Sequence, residues 1–330
     1  MHVELLVPAL LLGRAPRERL PALELLLARS RQRRDGAMTQ EQWLVAAFGA
    51  GDVCPAGALT MLAADAAPGD AYWLRADPVH LLQQREMLVL MPAPAIRVSG
   101  DEAAALCAAL NANFGDAFAV HAAGPECWTA RLAVEGRLEA LPPLEAAGRN
   151  ADAVLPLGDA KRWHALLNEV QMLLHGHPVN AAREARGERP VNSLWLWGAG
   201  RLPADLRCDW RSIAADDALA RGLAKAGGVR ADPVPEGAAE WLARLPADGR
   251  HLAVLDALRV AHAFDDAAGW EAAVAELESR WIAPLLAALR AGRVDMVTIH
   301  VPDGTESRSH EAARGDLRRF WRRAKPLDAQ

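Results

Sequence analysis

Hydrophobic and polar positions follow two different periods along the chain. Helical spacing marks the segments "PRERLPALELLLARSRQRR", "TQEQWLVAAFGAG", "SGDEAAALCAALNANFG", "DAKRWHALLNEVQMLLHGHPVN", "ADDALARGLAKAGGV" and "GWEAAVAELESRWIAPLLAALRAG". Short apolar runs such as "EMLVLMPAP", "NSLWLWGAG", "HLAVLDAL" and "VDMVTIHV" predict buried strands. This alternation predicts an α/β protein whose mixed, mostly parallel sheet carries helices on both faces.

Local signals predict where some of these elements begin and end. Thr39 is placed as a helix N-cap, with Gln42 at the capping-box position three residues later. In "DAYWLRADPVHL" a short strand is expected to stop at Asp77-Pro78, because proline lacks a donor and restricts the residue before it. In "NSLWLWGAG" both alternating faces are apolar, so the strand is expected to be covered on both sides.

The chain is long enough for one large domain or two smaller ones. The segment "LEALPPLEAAGRNADAVLPLG" is the best candidate linker. We therefore expect an N-terminal α/β region over 1–150 and a second half over 151–330, with a single compact unit left open.

Composition narrows the class of protein. A net charge of −5 argues against a dedicated nucleic-acid binder, which usually carries a basic surplus. The four cysteines are scattered without metal-ligand spacing, which favours free thiols in a reducing cytoplasm. The sequence contains no long uncharged apolar run of the kind that predicts a membrane span. The N-terminus is interpreted as a buried strand and not as a signal peptide. The tryptophan-rich segments leave a homo-oligomer open.

Two basic segments have alternative explanations. The arginines between Arg14 and Arg34 could form an anion-binding arm, but a solvated helix face is favoured. The terminal "RGDLRRFWRRAK" could contact an acidic partner or nucleic acid. An amphipathic helix that docks Leu317, Phe320 and Trp321 is favoured instead.

Ligand sites in open α/β sheets lie beyond the carboxyl ends of the strands. Three such ends stand out, at 198–201, 256–262 and 300–310. The first does not complete a dinucleotide-binding glycine motif, but it leaves a tight turn with Arg201 as an anion ligand. In the third, "VTIHVPDGTESRSHEA", His300, Asp303 and His310 suit a divalent metal such as Mn or Zn. The alternative for this third segment is a polar surface loop.

The segment "NEVQMLLHGHPVNAAREARGERPVNSLWLWGAGRLP" resembles archaeal-type cofactor-independent phosphoglycerate mutases, which belong to the alkaline-phosphatase superfamily. The resemblance continues through "AADDALARGLAKAGGV" to "VDMVTIHVPDG" and His310. The combination of "YWLRADPVHL", an LN-x-x-F pattern at Leu110, Asn111 and Phe114, and "NSLWLWGAGRLP" also resembles a proteobacterial family that is labelled RpfE-type regulatory or phosphoglycerate-mutase-like.

The resemblance implies an alkaline-phosphatase-like fold and a set of candidate ligand-binding residues. These candidates are Asn180, Asn192, Gly198, Gly200 and Arg201. The mutases use a Ser or Thr nucleophile over two metal ions, and here the N-terminal strand lacks their acidic metal motif. Thr60 has no matching context as a nucleophile, so the catalytic residues are unknown.

Two functions follow from the resemblance and its departures. The first is a catalytically degenerate relative with a regulatory role, which binds a small phosphorylated ligand or a protein partner. The second is a metal-dependent phosphotransferase or phosphatase that uses His300, Asp303 and His310.

Overall fold

The computed structural model describes residues 1–51, 53–84, 87–147 and 156–329. The chain divides into two compact units: the first unit is Met1–Gly49 with Leu206–Gln330, and the second unit is Ala50–Asp205. The expected boundary at 150/151 lies outside the described residues. Both ends of the chain belong to the first unit, so the observed division is not one into N- and C-terminal halves.

The regular elements follow in chain order. The strands are β1 His2–Leu6, β2 Arg31–Arg34, β3 Tyr72–Gln84, β4 Met87–Met91, β5 Phe118–Gly124, β6 Cys127–Leu132, β7 Leu138–Glu139, β8 Leu157–Gly158, β9 Ser193–Gly200, β10 Trp210–Ala214, β11 Arg230–Asp232, β12 Arg250–Val254, β13 Met296–Val301 and β14 Arg308–Ala313. The helices are α1 Pro21–Arg29, α2 Gln40–Ala47, α3 Ala56–Ala63, α4 Ala93–Ile96, α5 Gly100–Phe114, α6 Pro143–Ala146, α7 Ala160–His175, α8 Pro178–Ala185, α9 Ala218–Ala226, α10 Ala238–Arg244, α11 Ala257–Ala263, α12 Ala267–Glu276 and α13 Ala283–Ala291. A π-helical turn, Leu277–Ile282, joins α12 to α13.

The first unit contains a seven-stranded sheet in the order β11-β10-β12-β1-β13-β14-β2. The pairs from β11 to β13 are parallel, and the pairs β13–β14 and β14–β2 are antiparallel. One face buries Val3 and Leu5 against α1, α12 and α13. On the other face, Trp43 of α2 contacts Trp210 and His300. The predicted mixed, mostly parallel sheet with helices on both faces is confirmed.

The arginine-rich segment near the N-terminus differs from its prediction as one helix. Helix α1 ends at Arg29, Ser30 is extended, and 31–34 form the exposed edge strand β2. All four residues of β2 are polar and exposed, which fits an edge strand, where charge also opposes edge-to-edge aggregation.

The second unit is built on the long strand β3. This strand pairs antiparallel with β9 and also with β6 and β4. The expected stop at Asp77-Pro78 is wrong, because β3 continues through both residues. The backbone polar groups of Val79 point towards β9, so the nitrogen of Pro78 points to the opposite edge of β3. On that edge Pro78 lies between Arg75, which pairs with β6, and His80, which pairs with β4. A proline is tolerated where no ladder donor is needed.

The tryptophan-rich strand β9 is covered on both faces, as predicted. Leu194 and Leu196 join the core of the second unit. Trp195 and Trp197 are also buried, and their indole N–H groups donate to the Leu141 carbonyl at 2.8 Å and to Asp77 at 2.6 Å. The indoles therefore serve packing, and their polar edges are satisfied internally.

The C-terminal segment is not the expected amphipathic helix. Residues 314–318 form a short 3-10 helix, and Leu317 packs at the edge of the core. Phe320 and Trp321 are 78% and 66% exposed, so they do not dock. Among the described residues, no helix is both long and apolar enough to cross a membrane.

Candidate functional site

The histidines of the proposed metal cluster lie on two adjacent antiparallel strands. The register pairs His300 with Ser309, and Ile299 with His310. Paired residues share a face and successive residues alternate, so the two imidazoles point to opposite faces of the sheet. The predicted cluster is therefore wrong, because one ion cannot lie between these histidines.

Asp303, the third residue of that cluster, serves its own loop. Its carboxylate oxygen Oδ1 accepts from the Thr305 hydroxyl and amide, each at 2.9 Å, and from the Glu306 amide at 2.6 Å. Across residues 1–51, 53–84, 87–147 and 156–329, no group of three His, Cys, Asp or Glu side chains is arranged to hold a metal ion. The described residues thus do not fit the two-metal site that the resemblance implies.

His300 instead belongs to a buried hydrogen-bonded chain. Its Nε2 lies 3.0 Å from Glu4 Oε2, and its Nδ1 lies 3.0 Å from Ser309 Oγ. The Ser309 hydroxyl donates to Asp35 at 2.7 Å, and Arg250 donates to Glu4 Oε1 at 2.7 Å. We call Glu4, His300, Ser309 and Asp35 the Glu4 network. Each side-chain polar atom of Glu4, His300 and Ser309 has a hydrogen-bond partner.

The electrostatics of Glu4 follow from these contacts. Burial alone would raise its pKa, but hydrogen bonds from His300 and Arg250 outweigh burial and lower the pKa to about 2. Since the Ser309 proton goes to Asp35, His300 Nδ1 is assigned as the donor to Ser309 Oγ. Arginines outside the network pair with its two carboxylates, Arg250 with Glu4 and Arg33 with Asp35.

A cavity of about 410 Å³ borders this network. Trp43 and Trp210 form its aromatic wall, and Arg250 lies 5.5 Å from the centre of the Trp210 ring. The charged groups that line it are already paired within the protein, and the Trp210 indole nitrogen is its one buried lining side-chain atom without a hydrogen-bond partner among the described residues.

The carboxyl edge of the sheet holds a different cluster. Asp256 follows β12 at the start of α11, and Gln40 and Glu41 begin α2. Arg259 donates to Glu41 Oε1 at 2.7 Å. We call Asp256, Gln40, Glu41 and Arg259 the Asp256 cluster. Here Asp256 Oδ1, Glu41 Oε2 and both amide atoms of Gln40 are buried without a hydrogen-bond partner among the described residues.

Asp256 is also electrostatically unusual. Burial and the nearby Asp217 carboxylate raise its pKa to about 7. Arg259 and the Gln40 amide act to lower that pKa but do not outweigh burial, and neither polar atom of Gln40 meets full hydrogen-bond geometry. A buried polar group without a partner costs about 1–3 kcal/mol of folding free energy. This cluster therefore destabilises the fold unless a ligand supplies the missing partners.

A cavity of about 300 Å³ reaches Asp256 from the sheet edge. Its apolar wall includes Val234, Leu258 and Trp281, whose indole is nearly buried. The charged lining residues are Asp216, Glu236, Asp256, Glu276 and Arg280. Arg280 pairs with Glu276 at 3.2 Å, so the uncompensated charge is negative.

The two asparagines predicted as ligand contacts hold backbone in the second unit. Buried Asn180 donates to the carbonyls of Leu174 and Val191, both at 2.8 Å, and accepts from the Val191 amide at 2.9 Å. Asn192 exchanges two hydrogen bonds with the backbone of Leu81, at 2.7 and 2.9 Å. These bonds use most of the donor and acceptor capacity of the two side chains. The ligand-binding role of the two asparagines stays a prediction.

The glycines after the tryptophan strand allow a close helix contact. A Cβ on Gly198, which has φ +59°, would lie 2.5 Å from the Cβ of Ala56 in α3. A Cβ on Gly200 would lie 2.9 Å from Pro55. Arg201 is exposed and pairs with Glu135. The two glycines of the segment that resembles the mutases therefore have a packing role. Anion binding by Arg201 stays a prediction.

The sequence marks the strand end at 256–262 but does not single out Asp256 within it. One signal was available: an acid directly after a buried apolar strand, at the edge where ligands bind. Gln40 and Glu41 gave no such signal, because their approach to Asp256 depends on how α2 packs on the sheet.

No protein-family model matches the chain. Over 184 residues it is 28% identical to the 2,3-bisphosphoglycerate-independent phosphoglycerate mutase of Methanosarcina acetivorans, covering 50% of this chain and 46% of that enzyme. Over 66 residues it is 38% identical to the corresponding enzyme of Methanosarcina mazei, covering 20% of this chain and 17% of that enzyme. The chain thus spans less than half the length of these curated relatives.

Among solved structures, the PH0037 protein from Pyrococcus horikoshii superposes with a TM-score of 0.59 at 14% identity. The match covers 94% of this chain and 87% of that protein, and at this identity it shows a shared fold. The match supports the mixed α/β class of the fold. Over about half of its length, the chain is similar in sequence to 2,3-bisphosphoglycerate-independent phosphoglycerate mutases.

Proposed function

We propose that this protein is a catalytically degenerate phosphoglycerate-mutase-like protein that binds a ligand at the carboxyl edge of its first unit. The role is regulatory, in a bacterial cytoplasm, as suggested by the resemblance to RpfE-type regulatory proteins. The observation that carries the proposal is Asp256, whose carboxylate oxygen Oδ1 is buried without a hydrogen-bond partner among the described residues and whose side chain lines a cavity.

The lining of that cavity selects the class of ligand. Asp216, Glu236 and Asp256 give it negative charge, and Trp281 contributes apolar surface. An ammonium group would supply the missing donors to Asp256 and favour its charged form. A small organic cation with an apolar body fits this site better than a phosphorylated compound does.

The absence of mutase chemistry is proposed from the placement of side chains. His300 and His310 lie on opposite faces, and Asp303 caps its own loop. The metal-dependent phosphotransferase remains the competing function, and it requires metal ligands in an arrangement other than this one.

Activity assays separate the two functions. The purified chain is assayed with 3-phosphoglycerate and with p-nitrophenyl phosphate, in the presence of Mn²⁺ or Mg²⁺, and we expect no turnover of either. Turnover that His310→Ala or Asp303→Asn abolishes, while the fold persists, would establish the phosphotransferase instead.

Thermal shift measurements test the ligand class. Putrescine is expected to raise Tm in the native chain and to lose this effect in Asp256→Asn. We expect 3-phosphoglycerate to give no shift that depends on Asp256. If 3-phosphoglycerate gives the shift and putrescine does not, the cationic ligand is wrong.

A further inference from the structure

A second cavity in the first unit has the opposite charge. It measures about 760 Å³ and lies among the end of α1, strands β2 and β14, and the C-terminal segment. Its charged lining residues are Arg31, Arg322, Arg323 and Lys325, with His310 and Trp321 beside them. None of the described residues that line it is Asp or Glu. We call it the basic cavity.

Neighbouring arginines show that the chain elsewhere neutralises such charges. Arg33 pairs with Asp35 at 2.7 Å, and Arg319 pairs with Asp316 at 2.6 Å. The three arginines of the basic cavity pair with no carboxylate among the described residues; Arg322 donates to a backbone carbonyl at 2.8 Å. Their positive charge is therefore available to an anionic ligand.

His310 forms a neutral floor. Burial, with a contribution from Arg308, lowers its pKa to about 4. The Ser30 hydroxyl donates to the Leu27 carbonyl at 2.7 Å, so His310 Nδ1 donates to Ser30 Oγ at 3.1 Å. The ring is held in place without charge, and the positive charge of the cavity comes from its rim.

Trp321 supplies a flat apolar surface at the same rim. Its indole is 66% exposed, and the Phe320 ring contacts it edge-on, with centroids 5.3 Å apart. Aromatic side chains beside arginines are the usual platform for stacking the base of a nucleotide. Flat surface and positive charge thus meet at one cavity.

We propose that the basic cavity binds a nucleoside monophosphate, with the phosphoryl group on the arginines and the base on Trp321. Guanidinium groups form charge-assisted, often bidentate, hydrogen bonds to phosphate oxygens. This inference goes beyond the proposed function, because it concerns a different cavity with a ligand of opposite charge.

Isothermal titration calorimetry of the full chain with adenosine monophosphate tests the assignment. We expect binding that weakens at least about tenfold in the double variant Arg31→Gln/Arg323→Gln, since two charged contacts are lost. Trp321→Ala should weaken the binding of adenosine monophosphate but leave that of inorganic phosphate unchanged. Adenosine, which lacks the phosphoryl group, should bind at least about tenfold more weakly.

Arg290→Gln is the matched control, because Arg290 is an exposed arginine outside the cavity. Circular dichroism checks that each variant is folded; Arg323→Gln alone replaces the double variant if the latter unfolds. The proposal is overturned if millimolar adenosine monophosphate does not bind, or if the cavity variants bind as Arg290→Gln does. Tighter binding of single-stranded oligothymidylate than of the mononucleotide overturns it in favour of a nucleic-acid surface.

Discussion

The Glu4 network and the Asp256 cluster are both buried polar groups on the same sheet, but only the first is complete. Glu4, His300 and Ser309 satisfy one another with help from Arg250 and Asp35. The Asp256 cluster leaves polar atoms of Gln40, Glu41 and Asp256 without partners among the described residues. A complete network stabilises the fold, whereas an incomplete one marks where a ligand can supply the missing contacts. Residue types alone do not separate these cases.

The largest expected effect is at Glu4. Glu4→Gln removes the buried negative charge that pairs with Arg250 and that hydrogen-bonds His300, and breaking such a pair costs about 3 kcal/mol of unfolding free energy. Urea unfolding at pH 7 measures it. Glu18→Gln, at an exposed glutamate, is the control and should change stability by less than about 0.5 kcal/mol.

The pH dependence of the same variant gives a second readout. The Glu4 pKa is lowered from 4.5 to about 2, so its contribution is present above pH 4.5 and is lost as the pH falls towards 2. Glu4→Gln should flatten stability over this interval. An unchanged acid limb would mean that the network does not stabilise the fold.

The opposite sign is expected at Asp256. Its pKa is raised from 3.8 to about 7, so its contribution is greatest below pH 3.8 and is lost as the pH rises through 7. Asp256→Asn should therefore raise unfolding free energy at pH 8 by about 1–2 kcal/mol and leave it unchanged below pH 3.8. Unfolding at both pH values measures this effect, with Asp205→Asn as the exposed control. A loss of stability at pH 8 would place Asp256 among structural residues.

The sequence predicts local structure well where one segment contains all the determinants. The capping box of Thr39 and Gln42 forms at the start of α2 as expected. The doubly covered strand β9 is equally local, because its alternating leucines and tryptophans encode both faces. The prediction that the strand stops at Pro78 is wrong because a strand tolerates proline where no neighbouring strand needs its N–H. Which strands lie beside Pro78 depends on the fold and not on the local sequence.

The candidate site was harder to predict for the same reason. His300 and His310 are close in sequence, but their faces depend on the register of a hairpin. Asp256 could be recognised as a strand end, whereas its raised pKa depends on Asp217 and on burial by distant elements. Gly198 and Gly200 belong to the segment that resembles the mutases. In the structure they lie against α3 and against Pro55, which precedes that helix.

The smallest expected effect compares one side chain from each cluster. Ser309→Ala removes a hydroxyl that bonds His300 and Asp35, so it should cost about 1 kcal/mol of unfolding free energy. Gln40→Met keeps helix propensity and similar volume while removing amide atoms that have no partner among the described residues, so it should raise the unfolding free energy by about 1 kcal/mol. Chemical denaturation at pH 7 compares the two variants directly. Equal losses would show that the Gln40 amide is satisfied in solution, and the contrast between the clusters would then rest on Asp256 and Glu41 alone.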